Sequence, residues 1–362
     1  MTSRIQERNT VSPYLTFVIV HAMLFGIDFL LLTIKPVQMA GQDAWTAVLL
    51  CSAGIHIVIV MMYSFLNRHQ TDLIHIHILL FGKWMGWMLN ILFAGYFLLV
   101  TVYQLRLFIE VIQVWVFPEM KTWSLALVLL LIAFYIVSCG FRVIVGICMF
   151  SLLNTILFLT IFFMIPYFHF NNLLPAMSHS PHDIFGATKE LTASYMGIEI
   201  IPFCYPFIKT PRKSQKWAHW GVLSMTFIYV VEVIFAVITF RPEQLSNELW
   251  PGLTKYKFIQ FPFVERFEFI GSSVTVLRLF PIICLCIWVA SRIMKFTFSI
   301  RQIRVLPVLL GVVFVATCFI PNRIGVDVVQ SWIKLSGISV IFGYFPSLFL
   351  FDILRAKVKK TK

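Results

Sequence analysis

Long apolar runs joined by short polar connections fill the chain from residue 14 to residue 354. A hydrocarbon core about 30 Å thick is crossed by roughly 20 apolar residues in a helix. On that rule the pattern predicts ten spans, at 14–34, 44–66, 84–117, 122–140, 143–167, 185–208, 217–239, 268–291, 305–320 and 331–354. The third is long enough to tilt or to project beyond the bilayer. Two runs are broken where lipid should be. The sixth reads Ser194-Tyr195-Met196-Gly197-Ile198-Glu199 and then meets Pro202 and Pro206, and the first carries Gly26-Ile27-Asp28. The offset between first and sixth is odd, so the breaks fall at equivalent places in halves of opposite orientation. That pattern marks a transporter-like fold with two discontinuous helices around a central site. A single all-α, polytopic membrane domain over residues 1–362 is therefore expected, with repeats at 14–167 and 185–354 and a basic tail at 355–362.

Composition narrows the function classes. Hydrophobic residues make up 59% of the chain and charged ones only 12%, about half the charged share of soluble domains, which sets a soluble globular protein aside. The net charge of +13 reads first as orientation. With the N-terminus inside, most of the 29 basic residues lie on the inner side, among them Arg4, Arg8, Arg68, Lys83, Arg142, Lys209, Arg212, Lys213, Lys216, Arg292, Arg301, Arg304 and the tail ending at Lys362. Both termini are thus expected in the cytoplasm. The same surface favours anionic membrane lipids, and no nucleic-acid partner is needed to account for it.

Other chemistries find little support. The seven cysteines all lie in apolar runs, where a thiol behaves as a small hydrophobe, so no disulfide framework is expected. Cys284 and Cys286 are two apart and face different sides of a helix. His75-Ile76-His77 has no cysteine or carboxylate set at ligand spacing beside it, so neither metal nor cofactor is expected. No GxxxxGK[ST] loop occurs, which argues against nucleotide hydrolysis, and the chain does not read as an enzyme. The first apolar run is interrupted by Asp28 and ends without a clear small-residue cleavage site, so it reads as retained. Two connections are longer, both outward. Residues 168–184 read as an irregular loop, and 240–267, with Trp250-Pro251-Gly252 and Phe258 to Phe263, reads either as an aromatic cap at the membrane interface or as a lid or partner surface.

Polar residues inside the spans carry the candidate site. A charge at a helix centre costs about 2.5–3.5 kcal/mol on insertion scales, so each should face the bundle interior, a partner or a cavity. In the third span Tyr103, Arg106, Glu110 and Gln113 form one polar stripe at spacings of three and four. Arg106 either pairs with Glu110 or is free to hold a substrate carboxylate or to latch a neighbouring helix. Unwinding around Gly26 and Asp28, and around Tyr195, Gly197, Ile198 and Glu199, would leave backbone N–H and C=O groups to be met by a ligand, water or an ion. Half-helix N-termini favour anionic groups and exposed carbonyls favour cations. A site offering both suits an amino acid; the competing reading is a pair of kinked packing helices. His21 and Asp28 share a face if the first helix stays regular, and a Glu232–Arg278 bridge is a further structural alternative.

The chain resembles the spore germination permeases, the integral-membrane B subunits of the nutrient germinant receptors of endospore-forming bacteria. These sit within the amino acid, polyamine and organocation transporter superfamily. The resemblance rests on Gly82-Lys83-Trp84-Met85-Gly86, Gly95-Tyr96-Phe97, Asn172-Leu173-Leu174-Pro175, Gly197-Ile198-Glu199 with Pro206, Lys209-Thr210-Pro211-Arg212-Lys213, Trp250-Pro251, and Phe263-Val264-Glu265-Arg266-Phe267-Glu268, in this order along nearly the whole chain. In the family's pattern the first helix carries two close glycines followed soon by proline; here Gly26-Ile27-Asp28 is followed only at Pro36. The resemblance implies a LeuT-like five-plus-five inverted repeat. It also implies a role in sensing a small germinant, typically an amino acid, in the spore's inner membrane with A and C partner subunits. A proton-coupled amino acid permease is the alternative.

Overall fold

The computed structural model describes residues 7, 10–259, 266–320 and 322–360. Arg4, Arg8 and Lys362 of the basic count, and the part of the family pattern at 260–265, lie outside the described residues. Among those described, the only strand-like pairing is an isolated bridge between Val11 and Ile208, and the rest of the regular structure is helical.

In chain order the α-helices are α1 (Leu15–Leu24), α2 (Ile34–Ala40), α3 (Ala44–His69), α4 (Leu73–Phe81), α5 (Lys83–Trp115), α6 (Thr122–Ser138), α7 (Phe141–Asn154), α8 (Pro181–Leu191) and α9 (Ile201–Cys204). They continue with α10 (Pro211–Thr239), α11 (Pro242–Asn247), α12 (Pro251–Thr254), α13 (Phe267–Val274), α14 (Val276–Phe298), α15 (Gln302–Cys318), α16 (Arg323–Ile338) and α17 (Phe345–Lys360). Five helical stretches are long and apolar enough to cross a bilayer, Ile27–His69, Lys83–Trp115, Pro211–Thr239, Phe267–Phe298 and Arg323–Val358, beside shorter apolar helices. The architecture is that of a polytopic, all-helical membrane protein.

The centre is built by α5, α14, α10 and α3. Between Leu279 and Ala290 nearly every residue of α14 is buried, and the helix packs along α5 and against α7 and α15. An α-helix apolar on all sides belongs in the middle of a bundle. The helices α3 and α10 run against each other through Ser52–Thr226 (2.8 Å), His56–His219 (2.7 Å) and Tyr63–Ser214 (2.7 Å). On the periphery, α6 and α15 expose Leu127, Val128, Leu131, Val308, Val312 and Val315, the apolar faces a membrane requires.

Several boundaries differ from the sequence pattern for local reasons. Within the expected loop 168–184, Pro181 opens α8, because Ser180 caps it by accepting a bond from the Asp183 amide (3.2 Å). The first segment continues beyond Lys35 to Ala40, since Pro36 sits in the first turn of α2, where its missing N–H costs nothing. The fifth span is α-helical only to Asn154 and then tightens to a 3-10 helix, Thr155–Tyr167, and the tenth contains a π-helical stretch at Ser339–Tyr344. The interfacial reading of 240–267 is corrected at its centre. Trp250 and Tyr256 are buried at 1% and 2% exposure, and α12 packs against the first segment, so protein covers these aromatics rather than lipid headgroups.

On the N-terminal side, α4 occupies what read as a plain inner connection. Asp72 caps it, its Oδ1 accepting from the His75 amide (3.1 Å) and ring Nδ1 (2.5 Å), while Oδ2 accepts from Arg292 Nη2 (2.8 Å). Burial pulls this carboxyl upward, but the His75 hydrogen bond and the Arg292 charge outweigh it and hold its pKa below the ordinary aspartate value. The resulting stabilisation is complete above the unfolded value of about 3.9 and is lost as pH falls through the lowered folded value. Asp72→Asn should therefore destabilise the detergent-solubilised chain by about 3 kcal/mol at pH 7. In thermal melts the gap to the parent should narrow as pH falls below about 4; a gap independent of pH would show that the charge is not what matters.

Candidate functional site

At the first break α1 ends at Leu24, and Gly26 is extended (φ −75°, ψ −177°) before a 3-10 turn, Ile27–Leu31. The chain leaves the helix because an amide from α5 replaces the lost backbone partner. Gln104 Oε1 accepts from the Ile27 N–H (3.0 Å), and its Nε2 donates to Asp28 Oδ1 (2.9 Å). A Cβ on residue 26 would overlap Asp28 Oδ1 and lie 2.8 Å from that Nε2, so a larger residue would displace both side chains from this arrangement.

The second break repeats the device with a carboxylate. Gly197 has φ +127°, a region that L side chains rarely enter, and a Cβ there would meet Met23 Cβ and O at 2.9 Å. Glu199 folds back over this glycine. Its Oε2 accepts from the Gly197 N–H (2.7 Å), and Oε1 accepts from the Tyr96 hydroxyl of α5 (2.5 Å). From α10, the Tyr229 hydroxyl lies within hydrogen-bond reach of the carbonyls of both Leu24 and Ser194, the latter at 2.7 Å, and they share its single proton. One phenol thus serves the freed acceptors of both breaks, which touch each other at Gly197 and Met23.

Between them lies a cavity of about 270 Å³, walled by both breaks, α5, α14 and α16. Its apolar wall includes Met23, Phe97, Val100 and Ile282; its polar groups are Asp28, Tyr103, Gln104, Ser194, Glu199 and Gln330. Lys35 and Lys334 stand at the end farthest along the first segment, Lys334 ion-paired with Glu190. Both Glu199 oxygens are engaged by the fold, and Asp28 Oδ1 accepts from Gln104. The Tyr103 hydroxyl, turned towards Gln330, makes no hydrogen bond of normal geometry although it is buried. Two carboxylates deep inside and lysines at the rim form a concave, partly apolar site of the kind that takes a small polar molecule.

Of the residues singled out from sequence, Asp28, Tyr103, Gly197 and Glu199 line this cavity and Gly26 frames it. The others lie elsewhere. Arg106 donates through Nε to the Ile320 carbonyl (2.9 Å), one turn beyond the cavity, and Glu110 pairs with Arg323 (3.1 Å), so the polar stripe of α5 divides between two environments. Tyr195 is buried against α3 and α10, its hydroxyl on Thr226 (2.9 Å), and Ile198 is buried outside the lining. His21 contacts Ser224 (3.0 Å) and Thr155 (3.2 Å) rather than Asp28, because the break rotates the chain between them. The expected Glu232–Arg278 bridge is replaced: Glu232 takes Lys255 (2.9 Å to each oxygen), and Arg278 donates to Asn154 (2.8 Å) with its guanidinium 4.0 Å from the Phe25 ring centre. Among the described residues no group of three or more metal-ligating side chains comes together.

Sequence reasoning missed Gln104 and Cys286 at the cavity and the role of Tyr96. The signal for Gln104 was its amide in the middle of an apolar helix, eight residues from Tyr96 and so close to the same face.

The chain matches the family model described as spore germination protein over residues 10–324. It is similar to spore germination protein GerQB of Bacillus cereus, with 35% identity over 97% of this chain and 98% of that one. It is also similar to spore germination protein YndE of Bacillus subtilis (strain 168), with 24% identity over 92% and 93%, and to spore germination protein A2 of the same organism, with 24% identity over 60% and 61%.

The shared hydroxyl makes the two breaks answerable to one side chain. Tyr229→Phe should remove the one proton that the two carbonyls share, at a cost of about 1–2 kcal/mol, which is roughly tenfold in an opening equilibrium. Hydrogen exchange should accelerate together in residues 24–31 and 194–200 while the middle of α3 stays unchanged. Acceleration in only one segment would contradict the bridge.

Proposed function

We propose a function that starts from kinship: the chain belongs to the spore germination protein family, and within it acts as the integral-membrane B subunit of a nutrient germinant receptor. In this reading the cavity between the breaks takes a small germinant, an amino acid by its mix of groups. The Asp28 carboxylate, with Tyr103, would receive the ammonium, and the rim Lys35 would face the carboxylate. Supporting this is one observation above others: breaks far apart in sequence meet around a single cavity and share the Tyr229 donor.

The same meeting supports a ten-span, five-plus-five inverted repeat with halves at 14–167 and 185–354. With both termini in the cytoplasm, Lys35 and Lys334 would open to the outer side of the spore's inner membrane, where a nutrient arrives. Signalling is a population shift. A ligand touching both breaks favours the packing in which they are closest, and only differential affinity for two packings can do this. The A and C subunits would read that shift, and the exposed apolar faces of α6 and α15 offer them, or lipid, a surface.

Asp28→Asn keeps the Gln104 contact but removes the charge, so spores carrying it should need at least tenfold more germinant at normal protein abundance, as loss of a charged hydrogen bond implies. Binding is checked separately through Cys286, which lines the cavity. In purified chain with Cys139→Ser and Cys318→Ser, a small methanethiosulfonate should label Cys286, and the amino acid that germinates the spores should slow it. An unchanged dose response together with no protection would overturn the assignment. Accumulation of that amino acid by proteoliposomes under a proton gradient would instead favour the permease.

A further inference from the structure

We propose that the start of α10 holds an anionic phospholipid of the bilayer. One face of this helix packs on α1 and α3, so closely that a Cβ on Gly221 would lie 2.8 Å from Val20 Cβ. The opposite face is exposed and carries Arg212, Lys216, Trp220, Leu223 and Phe227 at spacings of three and four, one continuous stripe on a helix. Lys213 and Trp217 flank it, and its first half is an open, shallow groove formed by α10 side chains alone, none of them acidic.

The order of chemistry along this stripe identifies the occupant. Guanidinium and ammonium groups come first, then two indoles, then purely apolar side chains. A phospholipid presents phosphate, then ester and glycerol, then acyl chain, in the same sequence, and indoles favour the interfacial level. From Arg212 to Phe227 the helix rises about 22 Å, the depth of one leaflet with its headgroups, about 20–22 Å. An acidic protein segment would match the cations but not the graded descent into apolar side chains. His219 borders the groove with its ring braced on His56 at 2.7 Å, which stiffens the helix face at headgroup depth.

The position matters to the rest of the fold. Immediately before α10, Lys209 N–H donates to the Val11 carbonyl (2.9 Å), and Val11 N–H donates to Phe207 (2.8 Å), where the interrupted sixth segment ends. A lipid held here steadies the foot of the segment that carries Gly197 and Glu199.

The test uses the full chain in nanodiscs of phosphatidylcholine alone or mixed with phosphatidylglycerol, with retained lipid read by native mass spectrometry. Phosphatidylglycerol should be retained at least fivefold over phosphatidylcholine and should raise the melting temperature. Lys216→Gln and the triple change Arg212→Gln, Lys213→Gln, Lys216→Gln should erase that preference stepwise, and Trp220→Ala should lower retention, while Arg301→Gln with Arg304→Gln should leave it intact. Equal retention in the parent and the Lys216→Gln chain would overturn the proposal, as would displacement by millimolar inorganic phosphate. Displacement by an acidic peptide but not by neutral lipid would assign the groove to a protein and equally overturn it.

Discussion

A helix that breaks inside a medium without water must find new partners for every N–H and C=O it frees, and this requirement organises the molecule. Unmet backbone groups at such depth cost several kcal/mol each. Here Gln104 of α5 and the Glu199 carboxylate, itself held by Tyr96, meet the freed N–H groups, and Tyr229 of α10 meets the carbonyls. The middle of α5 reaches both breaks, Tyr96 at the second and Gln104 at the first, and is buried where the helix packs along α14. The cavity is the space left where two interrupted backbones cannot close against each other.

The first break is loaded from its far side as well. Phe25 and Phe29 separate the cavity from a buried cationic group, with Arg278 over Phe25 and Lys255 within 5.7 Å of the Phe29 ring centre. Lys255 belongs to the connection after α10, yet its ammonium is buried on Glu232 of α10. A buried pair of this kind is weak evidence for stability but strong evidence for register, since removing one partner strands the other. That connection is thereby fixed to the same 3-10 turn, Ile27–Leu31, that faces the cavity. Any shift of that turn on ligand binding moves residues 250–258, which gives a local event a route to the surface of the molecule.

Much of this was legible beforehand, and the failures are instructive. Glycine beside a carboxylate inside an apolar run marked both breaks, because neither Gly26-Ile27-Asp28 nor Gly197-Ile198-Glu199 makes sense in an uninterrupted lipid-facing helix. The pattern could not give the rotation of α5, so it grouped Tyr103 with Arg106 although the structure sends them to different neighbours, and it passed over Gln104. It read 240–267 by composition, where Trp250 and Tyr256 look interfacial; their burial depends on α12 docking against the first segment, a long-range contact that leaves no local signature. At the second break the carboxylate beside the glycine holds the break itself, Glu199 Oε2 accepting from the Gly197 N–H.

The central claim is that the two breaks form one ligand-responsive unit. Hydrogen exchange of the full chain in nanodiscs, with and without the amino acids proposed as ligands, tests this most directly. Protection should rise together in residues 24–31 and 194–200 and extend to 250–258. Protection confined to one break, or confined to residues 250–258 with both breaks unaffected, would contradict it.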